Sequence, residues 1–262
     1  MTEATSRPRA LITGASSGIG ETFARHLAKR GHDLVLVARR RDRLEKLAAE
    51  LSEAHGVKAE VVEADLADDS AVATVEERLR RGDIDLLVND AGFGTRGEFA
   101  GLPIERELEE LDVNVRALMR LTHAALGPMV GRGRGAVINV ASTGAFQPVP
   151  HMATYAATKA FVLHFSEALH EEVKGKGVTV TCLCPGPVKT EFQQVAGVND
   201  RRVPALAWTS VDAVVESALK AVSARRAIVM PGLLNQVTAG AVKLMPRSLA
   251  RRIAGAMFRE EG

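Results

Sequence analysis

"ITGASSGIGETFARHLAKRG", residues 12–31, decides the fold. It joins the end of an apolar run to an amphipathic run, and Gly14, Gly18 and Gly20 fall at the junction. Glycines there let a chain turn tightly from a strand into a helix and bring main chain against a phosphate. Backbone N–H groups at the helix start then stabilise the negative charge. Ser16 and Ser17 add hydroxyl donors, and Ile19 lies between the last two glycines. The spacing is Gly-x-x-x-Gly-x-Gly. It is not a P-loop, because Glu21 follows Gly20 where a Lys-Ser/Thr pair is required. A plain structural turn is the alternative reading.

Outward from this turn, "RALITG", "DLVLVAR", "KAEVVEAD", "IDLLVND", "GAVINVAS", "VTVTCLCPG" and "RAIVMPG" predict seven strands. Amphipathic stretches separate them, among them a helix-like run over 103–130 and one near 152–174. Strands apolar at nearly every position fit a parallel sheet covered on both faces. Strict alternation predicts an α/β chain: a single doubly wound domain, helices on both faces and extra C-terminal helices. Residues 1–9 are expected to be disordered and 10–262 to form the one domain.

The 262 residues are 46% hydrophobic and 25% charged, the balance of a soluble globule, with a net charge of +2. That charge gives no case for nucleic acid. "MTEATSRPRA" lacks the apolar core of a signal peptide, so a cytoplasmic protein is expected. Cys182 and Cys184 share one face of a strand with no ligand pattern around them, which predicts buried thiols and no metal.

The end of the second strand is where dinucleotide folds often place a carboxylate for the ribose 2′-hydroxyl. Here Ala38 is followed by Arg39, Arg40 and Arg41. A small residue and then cations favour a 2′-phosphate, so NADP(H) is expected in preference to NAD(H). A solvated basic helix start is the alternative, although cations belong at helix C-termini. Asp65, after the third strand, suits an adenine amino group or a helix cap.

Tyr155 is the only tyrosine, and Lys159 follows four residues later on the same helix face. Ser142 closes an apolar strand, and strand carboxyl ends are where open α/β sheets bind ligands. Carbonyl reduction by a nicotinamide needs a hydride on carbon and a proton on oxygen. A phenol ionises near pH ~10, and a nearby ammonium draws it toward the working range. Ser142 can orient the substrate oxygen. Asn114 can hold a water linking the lysine to solvent, or simply kink its helix. A surface i,i+4 pair is the bland alternative for Tyr155 and Lys159, but the order of turn, Asn, strand-end Ser, Tyr and Lys favours the chemical one.

In "TGASSGIG", "NDAG" (89–92), Asn114, Ser142, "YAATK" (155–159) and "PGPVKTEF" (185–192), the chain resembles the short-chain dehydrogenase/reductase family over nearly its whole length. The resemblance implies a seven-stranded Rossmann fold, a nicotinamide cofactor and a tetrad of Asn114, Ser142, Tyr155 and Lys159. It places Leu66, Asn89, Ala91 and Gly92 in the nucleotide site. It also implies that Lys159 bonds the nicotinamide ribose and that Pro185, Gly186, Val188 and Thr190 line the nicotinamide side. Homo-oligomers through the helices near 103–130 and 152–174 are the family's habit. Asp90 stands where the family usually has Asn, which puts one local hydrogen bond in doubt.

Three regions surround the expected carbonyl: "GFGTRGEFAG", "TGAFQPVPHM", and "EFQQVAGVNDRRVPALAWTS", which reads as a substrate lid over about 190–210. Phe93, Phe146, Phe192 and Trp208 suggest an apolar pocket for a lipophilic ketone or alcohol; core packing is the alternative for each. The tail, about 232–259, reads as two amphipathic helices divided by Pro246, with Leu244, Met245, Leu249, Ile253 and Met257 among Lys243, Arg247, Arg251 and Arg252. Packing on the protein or a partner is ranked above contact with a membrane surface. The leading expectation is an NADP(H)-dependent enzyme interconverting a small-molecule carbonyl and its alcohol. The rival is a regulatory NADP(H)-sensing protein that turns nothing over. A nucleotide-dependent methyltransferase explains neither Ser142, Tyr155 nor Lys159.

Overall fold

Helices carry the chain back between successive strands, so every strand pair in the sheet is parallel. The computed structural model describes residues 7–197 and 205–257. Most of the N-terminal stretch, the middle of the expected lid and the last residues of the tail lie outside them. In chain order the elements are β1 (Arg9–Thr13), α1 (Gly18–Lys29), β2 (Asp33–Ala38), α2 (Arg41–His55), β3 (Ala59–Glu63), α3 (Asp69–Arg80) and β4 (Leu86–Asn89). Next come α4 (Ile104–Leu111), α5 (Leu118–Gly131), β5 (Gly135–Val140), α6 (Ala153–Glu172), β6 (Val178–Leu183) and α7 (Phe192–Val195). The chain continues with α8 (Val211–Ser223), β7 (Ile228–Val229), α9 (Leu233–Leu244) and α10 (Arg247–Met257). The sheet order is β3-β2-β1-β4-β5-β6-β7.

Alternate strand residues feed opposite layers, as the pleat requires. Ile12, Leu34 and Leu36 pack with Phe23, Leu27, Leu44 and Val215 of α1, α2 and α8. Leu11, Val35 and Val137 pack with Val75, Leu79 and Leu121 of α3 and α5 on the other side. That is why the central strands read as unbroken apolar runs. β3 departs from the expectation of two buried faces. It is an edge strand and only partly buried, and its Glu60 pairs with Arg78 of α3.

The run over 103–130 is not one regular helix. A π-helical turn, Asp112–Ala117, separates α4 from α5 and carries Asn114 inward. α4 is inverted relative to a core helix. Glu107 and Glu110 are 3% and 0% exposed, while Ile104, Leu108 and Leu111 are 51%, 52% and 41% exposed. Thr154 of α6 donates to Glu107, and the Thr95 N–H and hydroxyl both donate to Glu110 at 2.9 Å. The two tail helices likewise turn Ala239, Ala250 and Ala254 inward and leave Leu233, Val237, Leu249 and Ile253 exposed. Among the described residues no helix is long and apolar enough to cross a membrane.

Candidate active site

The strand order switches direction at β1 and β4, and their carboxyl ends diverge into the crevice where open α/β sheets bind ligands. Thr13, the last residue of β1, spans it: its hydroxyl accepts from the N–H groups of Asp90 and Ala91 at 3.0 and 3.1 Å. A cleft of about 480 Å³ opens there.

Most residues expected from the sequence line this cleft. Gly14, Ser16, Ser17, Gly18 and Ile19 come from the turn after β1, and Arg39 and Arg40 from the end of β2. Asp65 and Leu66 follow β3, Ala91 and Gly92 follow β4, and Ser142 follows β5. Tyr155 and Lys159 project from α6, and Pro185, Gly186, Val188 and Thr190 follow β6. The turn is built for an anion. Ser17 occupies the N-cap of α1 but makes no side-chain capping bond; the Gly20 N–H is taken by Asp90, which leaves the N–H groups of Gly18 and Ile19 for a ligand. Gly14 and Gly18 adopt φ of 70° and 58°. A Cβ on Gly20 would lie 2.5 Å from the Gly14 carbonyl oxygen, so the turn closes only on glycine.

Gly20, Asn89 and Asn114 lie behind the wall rather than on it. Asn89 is buried and donates to Thr122 Oγ1 and Asn139 Oδ1 at 3.0 and 2.9 Å. Asn139 donates in turn to Ser166 at 3.0 Å, so the group ties β4 and β5 to α5 and α6. Asn114 clamps the loop after β4: Oδ1 accepts from the Phe93 N–H at 3.1 Å and Nδ2 donates to the Phe93 carbonyl at 2.8 Å. Nδ2 also donates to Thr158 at 3.2 Å. With its amide committed in this way, the Asn114 side chain meets the site through Phe93 and Thr158. Of the expected pocket aromatics, Phe93, Phe192 and Trp208 line the cleft. Phe146 does not; it packs on the cluster containing Leu163, Cys182 and Cys184. The two cysteines are buried, with their sulfurs 3.7 Å apart.

Tyr155 and Ser142 both line the cleft and both lie against Gly144. The Ser142 oxygen accepts from the Gly144 N–H at 3.1 Å, which fixes its position. Lys159 Nζ donates to the Val140 carbonyl at 2.9 Å and lies 5.7 Å from the centre of the Tyr155 ring. The expectation that the lysine lowers the phenol's acidity constant is not met in this state. Burial pushes the Tyr155 hydroxyl up to about 12; the nearby Ser142 hydroxyl opposes the shift and the carboxyls of Glu110 and Asp90 add to it. Burial likewise holds Lys159 below the ordinary lysine range, partly offset by Asp90.

Glu110 and Glu191 near the cleft were not singled out from the sequence, and Asp90 was marked there only as a departure from the family's usual Asn. Asp90 lies against the glycine turn, and a Cβ on Gly20 would be 2.8 Å from its carboxylate. Burial pushes Asp90 up to about 7, against the pull of Lys159 and the Gly20 N–H. Burial does the same to Glu110, also to about 7. Glu191 accepts from Arg40 and Arg43 at 2.7 and 2.6 Å. The Asp90 substitution was visible in the sequence, but not its burial; Glu191 and Glu110 gave no sequence signal.

A family model described as short chain dehydrogenase matches residues 8–201. The chain is 33% identical over 217 residues to the very-long-chain 3-oxoacyl-CoA reductase of Bos taurus, covering 81% of this chain and 68% of that one. A solved short-chain dehydrogenase from Sphingobium yanoikuyae, in complex with NADPH, superposes with a TM-score of 0.82 at 38% identity, over 92% of this chain and 97% of that one. A bulky-bulky ketone specific alcohol dehydrogenase from Comamonas testosteroni superposes with a TM-score of 0.79 at 34% identity, over 93% and 97%. A crevice at the switch point, a strand-end serine and a helix-borne tyrosine and lysine define a nucleotide-binding oxidoreductase of the doubly wound class. The chain belongs to the short-chain dehydrogenase/reductase family, whose enzymes act on carbinol and carbonyl groups.

Proposed function

We propose that the protein interconverts a lipophilic ketone or aldehyde and its alcohol with NADP(H) as hydride carrier. The observation that carries the reading is that Ser142, Tyr155 and Lys159 line the same cleft as the glycine turn at the start of α1. The NADPH and bulky-ketone relatives support it. So does the apolar part of the wall, where Phe192 lies 5.2 Å from the Tyr155 ring, ring centre to ring centre, and Met152 and Trp208 add apolar surface.

The nicotinamide ring, when bound, gives or takes the hydride. The protein supplies the proton chemistry. Ser142 orients the carbonyl oxygen by hydrogen bonding, and Tyr155 Oη delivers the proton to it during reduction. A phenol held near 12 keeps its proton at neutral pH, which suits it to act as the acid. Lys159 Nζ, fixed on the Val140 carbonyl and 5.7 Å from the ring centre, would hold the nicotinamide ribose. Gly14, Ser16 and Gly18 would hold the diphosphate end, and Arg39 and Arg40 the 2′-phosphate.

Tyr155→Phe is expected to lower turnover by about 10³-fold or more while NADPH still binds, read by ketone-dependent NADPH oxidation beside a fluorescence titration. Retention of near-normal turnover would reject the assignment. Arg39→Ala and Arg40→Ala should each weaken NADPH far more than NADH; equal losses would remove the 2′-phosphate role. We also propose self-association through the outward apolar face of α4, which Met119 and Phe161, 41% and 39% exposed, extend onto α5 and α6.

A further inference from the structure

Four arginines cluster where the chain leaves β2, and they are not equivalent. Arg41 bonds Glu45 within its own helix, and Arg39 approaches Asp65 and Glu109 no closer than 3.7 and 3.9 Å. Arg40 and Arg43 instead converge on one carboxylate from a distant part of the chain, Glu191 at the entry to α7. Each oxygen of Glu191 takes one guanidinium: Oε2 from Arg40 at 2.7 Å and Oε1 from Arg43 at 2.6 Å. The other edge of Arg40 is fixed independently, donating to Ser16 Oγ at 2.9 and 3.1 Å and to Ser17 Oγ at 2.8 Å. Arg40 is therefore anchored to the glycine turn with one edge presented to an anion, and the anion it holds comes from the protein itself.

The geometry points to Glu191 as an internal occupant of the 2′-phosphate site, competing with that phosphate for Arg40 and Arg43 and so setting cofactor selectivity. The inference rests on the dinucleotide reading above and deepens it. Arg40, Ser16, Ser17 and Glu191 all line the one cleft. A phosphate carries more charge than a carboxylate and offers three acceptor oxygens to the same donors, so it can displace Glu191. A dinucleotide that ends in a 2′-hydroxyl brings no such competitor and leaves the pair in place. Glu191 is followed directly by Phe192, which packs on the Tyr155 ring, so the exchange also loosens the segment that walls the substrate side.

The test uses adenosine 2′,5′-bisphosphate and adenosine 5′-monophosphate, titrated calorimetrically into the full-length protein and its Glu191→Gln, Glu191→Ala and Arg40→Ala variants. Both Glu191 variants should bind the bisphosphate about fivefold tighter, the scale expected for losing two exposed ion pairs, and the monophosphate within about twofold of the parent. Equal tightening of both ligands, no change, or weaker bisphosphate binding would overturn the competition. Arg40→Ala separates the two ideas. If it leaves bisphosphate binding unchanged, the 2′-phosphate reading fails and this inference with it. If it weakens the bisphosphate while the Glu191 variants do not tighten it, only the competition fails.

Discussion

A carboxylate at position 90 costs the fold free energy that an amide would not. Asp90 sits against the glycine turn and is pushed up to about 7 mainly by burial. Below about pH 4 the folded and unfolded chains both keep this proton, and the residue is neutral in each. As pH rises from there toward 7, the unfolded chain gives up its proton first. Stability therefore falls through that window, and the penalty stays constant above it. Asp90→Asn should stabilise the protein by about 1–3 kcal/mol at pH 8, a figure reduced for partial solvent access, and the gain should vanish near pH 4. Urea unfolding of both proteins across this range checks it; a pH-independent gain would mean that packing, not charge, is responsible.

The glycine turn and the Tyr155–Lys159 pair were legible in the sequence because each is local: three glycines within seven residues, and one helical turn between phenol and amine. The strands were legible because burial on both faces writes itself as an apolar run, and β3 misled only because it is an edge. What could not be read is what depends on distant partners. Glu191 and Arg40 are 151 residues apart, and nothing local marks either as the other's partner. α4 hid its orientation for the same reason. Its amphipathic period is plain, but only Thr95 and Thr154 reveal that the glutamates point inward. The outward Leu108 then belongs to the proposed contact between copies. Leu108→Glu should shift the protein to a smaller species in light scattering, with its far-UV spectrum unchanged. An unaltered mass would remove α4 from the interface.

The cleft draws on residues following six of the seven strands, so no smaller part of the sheet contains it. Unfolding of the site and of the sheet should therefore be one event. The molecule carries its own means of checking this. Trp208 is its single tryptophan and stands in the cleft wall, with the Lys189 ammonium 5.7 Å from its ring centre. Ultraviolet excitation at the red edge thus singles out one indole, and its emission serves as a built-in gauge of the crevice without any attached dye. The emission and circular-dichroism curves should superimpose through a denaturant titration, and dihydronicotinamide, whose absorption overlaps indole emission, should dim that signal by energy transfer as it enters.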